Sequence, residues 1–557
     1  MKRWLLLCLL VLCAPAYPAA TPPAAAIATA HPLATQAGHE ILAAGGNAFD
    51  AAVAITATLA VVEPTGSGLG GGGFWLLHRA KNGYQTMLDG RERAPLAAKR
   101  DMYLDAKGEV IPNLSVDGAL AAGIPGIPAG IAHLAAHYGK LPLSKTLAPA
   151  MRHARNGFAI SESYRRIAQF RLEALRASPA AASIFLHEND VPPLGYLLKQ
   201  PDLADTLEAI AKHGAAGFYS GVVADKLIKG VRRADGIWTQ KDLSSYRLIE
   251  RQPLQGTYHG IRITSAAPPS SGGIALISAL NILAGYDPKA LNAATNATGH
   301  VHLITEALRR AYRDRAIYLG DPDQVAVPMA RLTDPLYADG LRASIRADRA
   351  TPSNTLPGNA TLSAGNDTTH FSVLDKQGNR VAATLSINFP FGSGFVAPGT
   401  GVLLNDEMDD FSAKPGVPNV YGLVGGEANA IAPGKRPLSS MSPTFLESKN
   451  GVAILGTPGG SRIISMVLLS TLDFAAGNDP ASWVSLKRFH HQFLPDVIQH
   501  EPGTFSAEQA ASLTQLGHTL KEVTDPYGNM QAILWDRKNN KVKAASDPRG
   551  EGTATVR

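Results

Sequence analysis

Asn366-Asp367-Thr368-Thr369-His370-Phe371-Ser372-Val373 marks the place where a loop-like stretch runs straight into a strand. Residues 346–367 are rich in Ala, Thr, Ser, Asn, Gly and Pro and show little apolar periodicity, which is loop composition. From Thr368 the pattern alternates, with Thr369, Phe371 and Val373 on one side. A turn at Lys376-Gln377-Gly378-Asn379 then leads to a returning strand, Arg380 to Ile387. A threonine hydroxyl is a poor nucleophile unless a base sits beside it. An α-amino group freed by cutting the backbone at that point is such a base, titrating at about pH 7.7–8.0. Thr-Thr at the head of a strand is also ordinary β-propensity, so the surroundings decide.

Those surroundings carry the right chemistry. Ser439-Ser440, Gly459-Gly460 and the acidic cluster Asp406-Glu407-Met408-Asp409-Asp410 lie in the same half of the chain. Backbone N–H groups of a Gly-Gly turn can approach a developing oxyanion closely because no side chain intervenes. Working outward, His39 to Ala60 is an Ala-rich helical stretch interrupted at Gly45-Gly46-Asn47 and stopped at Glu63-Pro64. A glycine cluster, Gly66 to Gly73, precedes a strand at Phe74–His78, and Pro128 to Ala234 reads as mostly helical. Ser270-Ser271-Gly272-Gly273 opens an apolar helix, Ile274–Leu283. A long amphipathic helix follows, with Leu303, Ala307, Ala311 and Tyr312 on one face and Arg309, Arg310 and Arg313 elsewhere. Strands and helices do not alternate strictly, which predicts strands sandwiched between helices.

Composition removes several classes of function. Lys2 and Arg3, the apolar run Trp4–Cys13 and the small residues Ala14-Pro15-Ala16 or Pro18-Ala19-Ala20 read as an export signal, residues 1–20. Ten apolar residues fall short of the roughly 20 a membrane span needs. A lipid anchor at Cys13 is a weak reading, because bulky Leu12 precedes it. Without Lys2 and Arg3, the 52 basic and 46 acidic residues reduce to about +4 over a long chain, too dilute for nucleic acid as a partner. Both cysteines, Cys8 and Cys13, lie in the signal, so disulfides, zinc thiolates and a cysteine nucleophile are not expected. Gly66 to Gly71 matches G-x-G-x-x-G, but a helix precedes it and a strand follows, the inverse of a dinucleotide site, so a tight structural glycine turn is expected. There is no P-loop, H-E-x-x-H or G-x-S-x-G motif. His490-His491 would point to opposite faces of a strand, and the acidic cluster lacks EF-hand spacing. Neither a metal nor a cofactor is expected.

The chain resembles the γ-glutamyltranspeptidases (γ-glutamyltransferases, also called glutathione hydrolases), a family of N-terminal nucleophile hydrolases. The likeness runs from about Gly38 to the C-terminus. It rests on Thr368-Thr369-His370-Phe371-Ser372-Val373, Leu404-Asn405-Asp406-Glu407-Met408-Asp409-Asp410-Phe411, Arg436-Pro437-Leu438-Ser439-Ser440-Met441-Ser442-Pro443 and Thr457-Pro458-Gly459-Gly460-Ser461-Arg462. Glu63-Pro64 with the glycine cluster, and Leu88-Asp89-Gly90-Arg91-Glu92, add to it.

The resemblance implies an α+β fold, a four-layer αββα sandwich. It implies a precursor that cuts itself between Asp367 and Thr368 into a large fragment, 21–367, and a small catalytic fragment, 368–557, which stay together as a heterodimer. Thr368 would attack the γ-carbonyl of glutathione or a related γ-glutamyl compound and pass the glutamyl group to water, an amino acid or a dipeptide. Gly459 and Gly460 would supply the oxyanion amides. Arg91 would grip the α-carboxylate as a charge-assisted fork with Ser439 and Ser440, and Asp410, Glu407 and Asn388 would hold the α-ammonium. Ser386 stands where many relatives carry a second threonine; it keeps the hydroxyl with less rotamer restriction, and the rate of self-cleavage is the property it bears on. Pro415 to Gly426 resembles the loop that covers the pocket in many members. The expected setting is periplasmic or secreted, with no membrane attachment after signal removal.

Two other readings use the same residues. An acylase for β-lactam side chains such as glutaryl groups would share fold and nucleophile, but a glutaryl chain has no ammonium for Glu407 and Asp410. A periplasmic amino-acid-binding protein would use the Arg and Asp contacts and remain one chain. Arg91 as a surface ion pair, Ser439 and Ser440 as turn residues, and Asp409 as a capping carboxylate are the structural alternatives.

Overall fold

The computed structural model describes residues 21–287, 291, 297–356, 368–414, 416, 417, 419, 423 and 425–557. The expected signal segment, Asp367 and much of the Pro415–Gly426 loop lie outside the described residues.

Two antiparallel sheets lie face to face. The first runs, in spatial order, through Thr553–Val556, Ala26–Thr29, Thr369–Leu374, Arg380–Ser386, Gly72–Arg79, Tyr84–Gly90 and Ile249–Arg251. The second runs through Lys541–Ser546, Gln531–Asp536, Gly451–Gly456, Thr444–Glu447, Ile261–Ser265 and Leu254–Tyr258. One apolar core fills the space between the first sheet and its helices, joining Ile27, Trp75, Leu88, Phe371, Val373 and Leu385 to the Ala48–Val62 and Ile127–His137 helices. The other joins Phe74, Leu76, Met87, Phe445 and Ile454 to Gly272–Leu283, Ala297–Tyr318 and Ile463–Ala475. The result is the four-layer αββα sandwich.

Strand parity explains how the nucleophile is aimed. Phe371 and Val373 fall in the core under the outer helices, so His370 and Ser372 face the second sheet. The Ser372 hydroxyl donates to Gln531 O at 3.1 Å, and a Cβ on Gly456 would lie 2.3 Å from the His370 ring. Thr368 shares their parity, which turns it toward the space between the sheets. Because both faces are covered, the Thr369–Leu374 strand is buried along its whole length rather than alternately exposed.

Local sequence accounts for the helix that carries this sheet. Asn47 caps Ala48–Val62 through Phe49 N and Asp50 N, and Asp50 returns a bond to Asn47 N at 2.9 Å, so the Gly45-Gly46-Asn47 interruption is a helix start. Trp75 lies beneath it, fully buried, donating to Thr56 Oγ1 at 3.2 Å. Gly130 is glycine because a Cβ there would come within 2.4 Å of that indole. The Ala297–Tyr318 helix departs from its amphipathic reading: Arg309 and Arg310 are buried too, bridged to Glu306 at 3.2 and 2.6 Å. Among the described residues no helix is long and apolar enough to cross a membrane.

Candidate active site

Thr368 immediately precedes its strand and is 8% exposed. Its Oγ1 lies 3.5 Å from Ser386 Oγ on the neighbouring strand, the pair that the Thr369–Leu385 register sets opposite each other. Ser386 Oγ also accepts Asn388 N at 2.8 Å. Asn388 adopts a φ of 71°, a left-handed conformation that asparagine tolerates, and its Nδ2 donates to Asp406 O at 3.1 Å. Thr368, Ser386 and Asn388 line a cleft together with Arg91, Asp410, Leu423, Ser439, Ser440, Met441, Gly460, Ser461 and Ile463.

The glycine cluster lies against this cleft. The expected turns are there, with Gly66 N donating to Glu63 O at 3.1 Å and Gly71 N to Gly68 O at 3.0 Å, but none of the glycines has a positive φ, so conformational freedom is not what requires glycine. Close approach is: a Cβ on Gly70 would meet Leu403 O at 2.0 Å, one on Gly71 would meet Ser386 O at 2.1 Å, and one on Gly72 would meet Glu92 Oε2 at 2.4 Å. Asn405, which sequence reading passed over, ties the cluster to the acidic turn. It donates to Gly70 O at 2.6 Å and Gly123 O at 2.8 Å, and its Oδ1 accepts Glu407 N at 2.9 Å.

Arg91 follows the Tyr84–Gly90 strand and is 1% exposed. Its Nε donates to Pro437 O at 3.1 Å, Nη1 lies 2.6 Å from Glu407 Oε2 and 3.4 Å from Glu92 Oε2, and Nη2 bonds Asp410 Oδ2. Sequence reading assigned Arg91 and the acids to opposite poles; the structure pairs them directly. Glu407 is turned onto Arg91 and, like Gly459, is not among the residues lining the cleft. Burial pushes the Glu92 carboxyl up to about 8 and that of Glu407 well above its usual range, against the pull of Arg91. Asp410, 13% exposed, is the member of the group that reaches the cleft.

The remaining wall is made of loops. Ser439 N donates to Pro269 O at 2.8 Å, and Ser439 Oγ accepts Met441 N at 3.1 Å. Gly459 and Gly460 have φ of 138° and 55° and form the tight turn into the Ile463–Ala475 helix, so their amides sit at a helix N-terminus, which favours negative charge. This turn is braced from behind: Tyr312 donates to Ser461 O, Ser461 Oγ donates to Gln492 Oε1 at 2.7 Å, and His490 meets that oxygen at 2.8 Å. Burial lowers the His490 pKa to about 3, so the ring is neutral and structural. His491 turns elsewhere, to Asp496 at 3.1 Å, as the adjacent-residue geometry predicts.

Below Thr368, on the helical side of the sheet, Glu63 faces the neighbourhood of Thr369. Burial raises its carboxyl to about 7, opposed by the Thr369 hydroxyl and reinforced by Glu551. Among the described residues its Oε2 has no hydrogen-bond partner. Of the site residues singled out from the sequence, Thr368, Ser386, Asn388, Arg91, Asp410, Ser439, Ser440 and Gly460 converge on one cleft. Glu407 and Gly459 stand just behind it. Asn405 and Tyr312 were missed as parts of the site, because their contacts lie far along the chain.

Comparison with known proteins shows what the chain is similar to. The gamma-glutamyltranspeptidase family profile matches residues 34–556. A glutathione hydrolase proenzyme of Escherichia coli is 42% identical over 537 residues, covering 95% of this chain and 91% of that protein. The crystal structure of a cephalosporin acylase from Bacillus halodurans superposes with a TM-score of 0.83 at 28% identity, covering 97% of this chain and 98% of its own. A chain of the Helicobacter pylori gamma-glutamyltranspeptidase structure gives a TM-score of 0.57 at 42% identity, covering 58% of this chain and 92% of itself.

Proposed function

The chain belongs to the γ-glutamyltranspeptidase family, and on that basis we propose that it is a glutathione-cleaving γ-glutamyl hydrolase and transferase acting through Thr368. The observation that carries this reading is one cleft holding a strand-leading threonine, an Arg91–Asp410 ion pair and the Ser439-Ser440 turn. Sequence identity favours it over the acylase, 42% against 28%.

The precursor cuts itself between Asp367 and Thr368, giving fragments 21–367 and 368–557. Strands of both segments alternate in the first sheet: Ala26–Thr29 pairs with Thr369–Leu374, and Arg380–Ser386 pairs with Gly72–Arg79. Cutting the connection therefore leaves the fragments held as one body, a processed heterodimer. The freed α-amino group takes the Thr368 hydroxyl proton as Oγ1 attacks the γ-carbonyl. Amides of Gly459 and Gly460 receive the oxyanion, and the same amine returns the proton to the departing amine. Water, an amino acid or a dipeptide then takes the glutamyl group from the threonine ester.

An α-amino acid head carries its carboxylate and ammonium on one carbon, so adjacent rather than separated binding poles suit it. Arg91, with the Ser439 and Ser440 hydroxyls, takes the carboxylate; Asp410, with Asn388, takes the ammonium, and Glu407 acts by holding Arg91. Ser386 supports the Thr368 hydroxyl. Residues 1–20 export the chain to the periplasm or beyond. The test is turnover of a γ-glutamyl anilide by the processed protein with and without a dipeptide. Release of the aniline, with γ-glutamyl-dipeptide formed when the acceptor is added, supports the reading. A processed protein that releases none, or prefers a glutaryl anilide, contradicts it.

A further inference from the structure

The Ala297–Tyr318 helix backs the cleft wall with two side chains three residues apart, one helical turn. Tyr312 braces Ser461; Arg315 reaches the serine turn. Arg315 is 4% exposed. Its Nε donates to Ser271 Oγ at 2.9 Å and its Nη2 to Ser440 Oγ at 3.3 Å. Ser271 donates in turn to Ser439 O, from Oγ at 2.7 Å and from its amide at 2.8 Å. Arg91, Arg309, Arg310 and Arg488, buried to the same degree, each have a carboxylate within ion-pair distance. Among the described residues Arg315 has none.

A buried guanidinium bonded only to hydroxyls is costly, and apolar packing at the same place would cost less. With no carboxylate within ion-pair distance among the described residues, its charge is available to an arriving anion. Resting on the function proposed above, we propose that Arg315 is a positioning residue for the donor's α-carboxylate, acting through Ser440. With Nη2–H donating to Ser440 Oγ, the serine lone pair is occupied and its O–H turns away from Arg315 toward the cleft, ready to donate to a carboxylate. The guanidinium also adds a second positive charge to that of Arg91 on the same wall. Both effects favour a donor with a carboxylate at Cα over one with hydrogen there. Burial lowers the Arg315 pKa, with Tyr312 and Asp410 raising it and Arg91 lowering it.

The experiment compares a γ-glutamyl anilide with a 4-aminobutyryl anilide, the same donor without the α-carboxylate, on processed wild type, Arg315→Met, Arg315→Lys and Ser271→Ala. In Arg315→Met the γ-glutamyl KM should rise roughly tenfold or more, the scale of a lost charge-assisted bond, with kcat within about threefold. The 4-aminobutyryl donor should change little, so the preference between donors collapses, and Arg315→Lys should restore part of it. Equal losses on both donors, or an intact preference, overturn the assignment. If Arg315→Met does not process, Ser271→Ala decides: a rise in γ-glutamyl KM alone supports the role and an unchanged preference overturns it. A wild type that turns over neither donor defeats the function reading itself. A wild type that prefers the γ-glutamyl donor, with variants that keep that preference, defeats only the role of Arg315.

Discussion

Replacing Asp410 with Asn separates a γ-glutamyl enzyme from a glutaryl acylase on the same scaffold. Asp410 Oδ2 is held by Arg91, and its Oδ1 accepts Asn419 Nδ2 at 3.2 Å. Asn429 Nδ2 donates to its backbone oxygen at 2.7 Å. Asparagine keeps this shape and removes the charge, and Arg91 retains Glu407 at 2.6 Å, so the protein should still fold and process. The substrate ammonium loses its counter-charge in a largely buried site. Breaking one side of such a pair costs about 3–5 kcal/mol, which is roughly a hundredfold to a few thousandfold in kcat/KM. A glutaryl anilide has no ammonium to strand, so its kcat/KM should stay within about threefold. The assay is initial-rate release of aniline from both donors by processed wild type and Asp410→Asn. Equal losses on the two donors would show that Asp410 maintains the site rather than reads the ammonium, and would overturn its assignment.

Because Arg91 orients Asp410, Arg91→Met and Asp410→Asn should be non-additive, with a coupling of about 1–3 kcal/mol in kcat/KM; additive losses would mean two independent poles. Glu63 holds its proton in the folded state up to about pH 7, so its contribution to stability is full below the unfolded carboxyl pKa and is lost as pH rises through 7. Between pH 5 and 8 the wild type should lose about 2 kcal/mol more than Glu63→Gln, seen as a wild-type Tm that falls relative to that of the variant; parallel profiles would contradict this. Gly70→Ala drives a Cβ to 2.0 Å from the Leu403 carbonyl oxygen, a backbone atom, and should cost about 2 kcal/mol or more and reduce processing. Normal Tm and processing in that variant would show that the strand end yields.

Much of this was legible because the chain advertises its chemistry locally. The loop-to-strand junction at Thr368 and the Gly459-Gly460 turn each depend on neighbours a few residues away, whereas Gly45-Gly46-Asn47, which reads as an interruption, is the start of a second helix. Strand alternation put Thr369, Phe371 and Val373 on one side, but only the packing of that side under the helices shows where Thr368 points. What escaped was decided by distant contacts. The glycines at 70–72 are set by Leu403, Ser386 and Glu92, and so look like a turn when read alone. Arg309 and Arg310 look like a polar face until Glu306 is seen between them. Arg91 and Asp410 are separated by more than 300 residues in sequence, so charge type suggested two poles where the fold makes one pair.

Everything above turns on Thr368 becoming an N-terminal nucleophile, and the fate of the purified precursor measures that without an intermediary. Wild type and Thr368→Ala are incubated without protease, run on a denaturing gel, and the smaller band is sequenced from its N-terminus. Two fragments are expected from wild type, the smaller beginning Thr-Thr-His-Phe, and a single band from Thr368→Ala. A wild type that stays one chain, or a Thr368→Ala protein that splits at the same bond, would show that Thr368 is not the nucleophile.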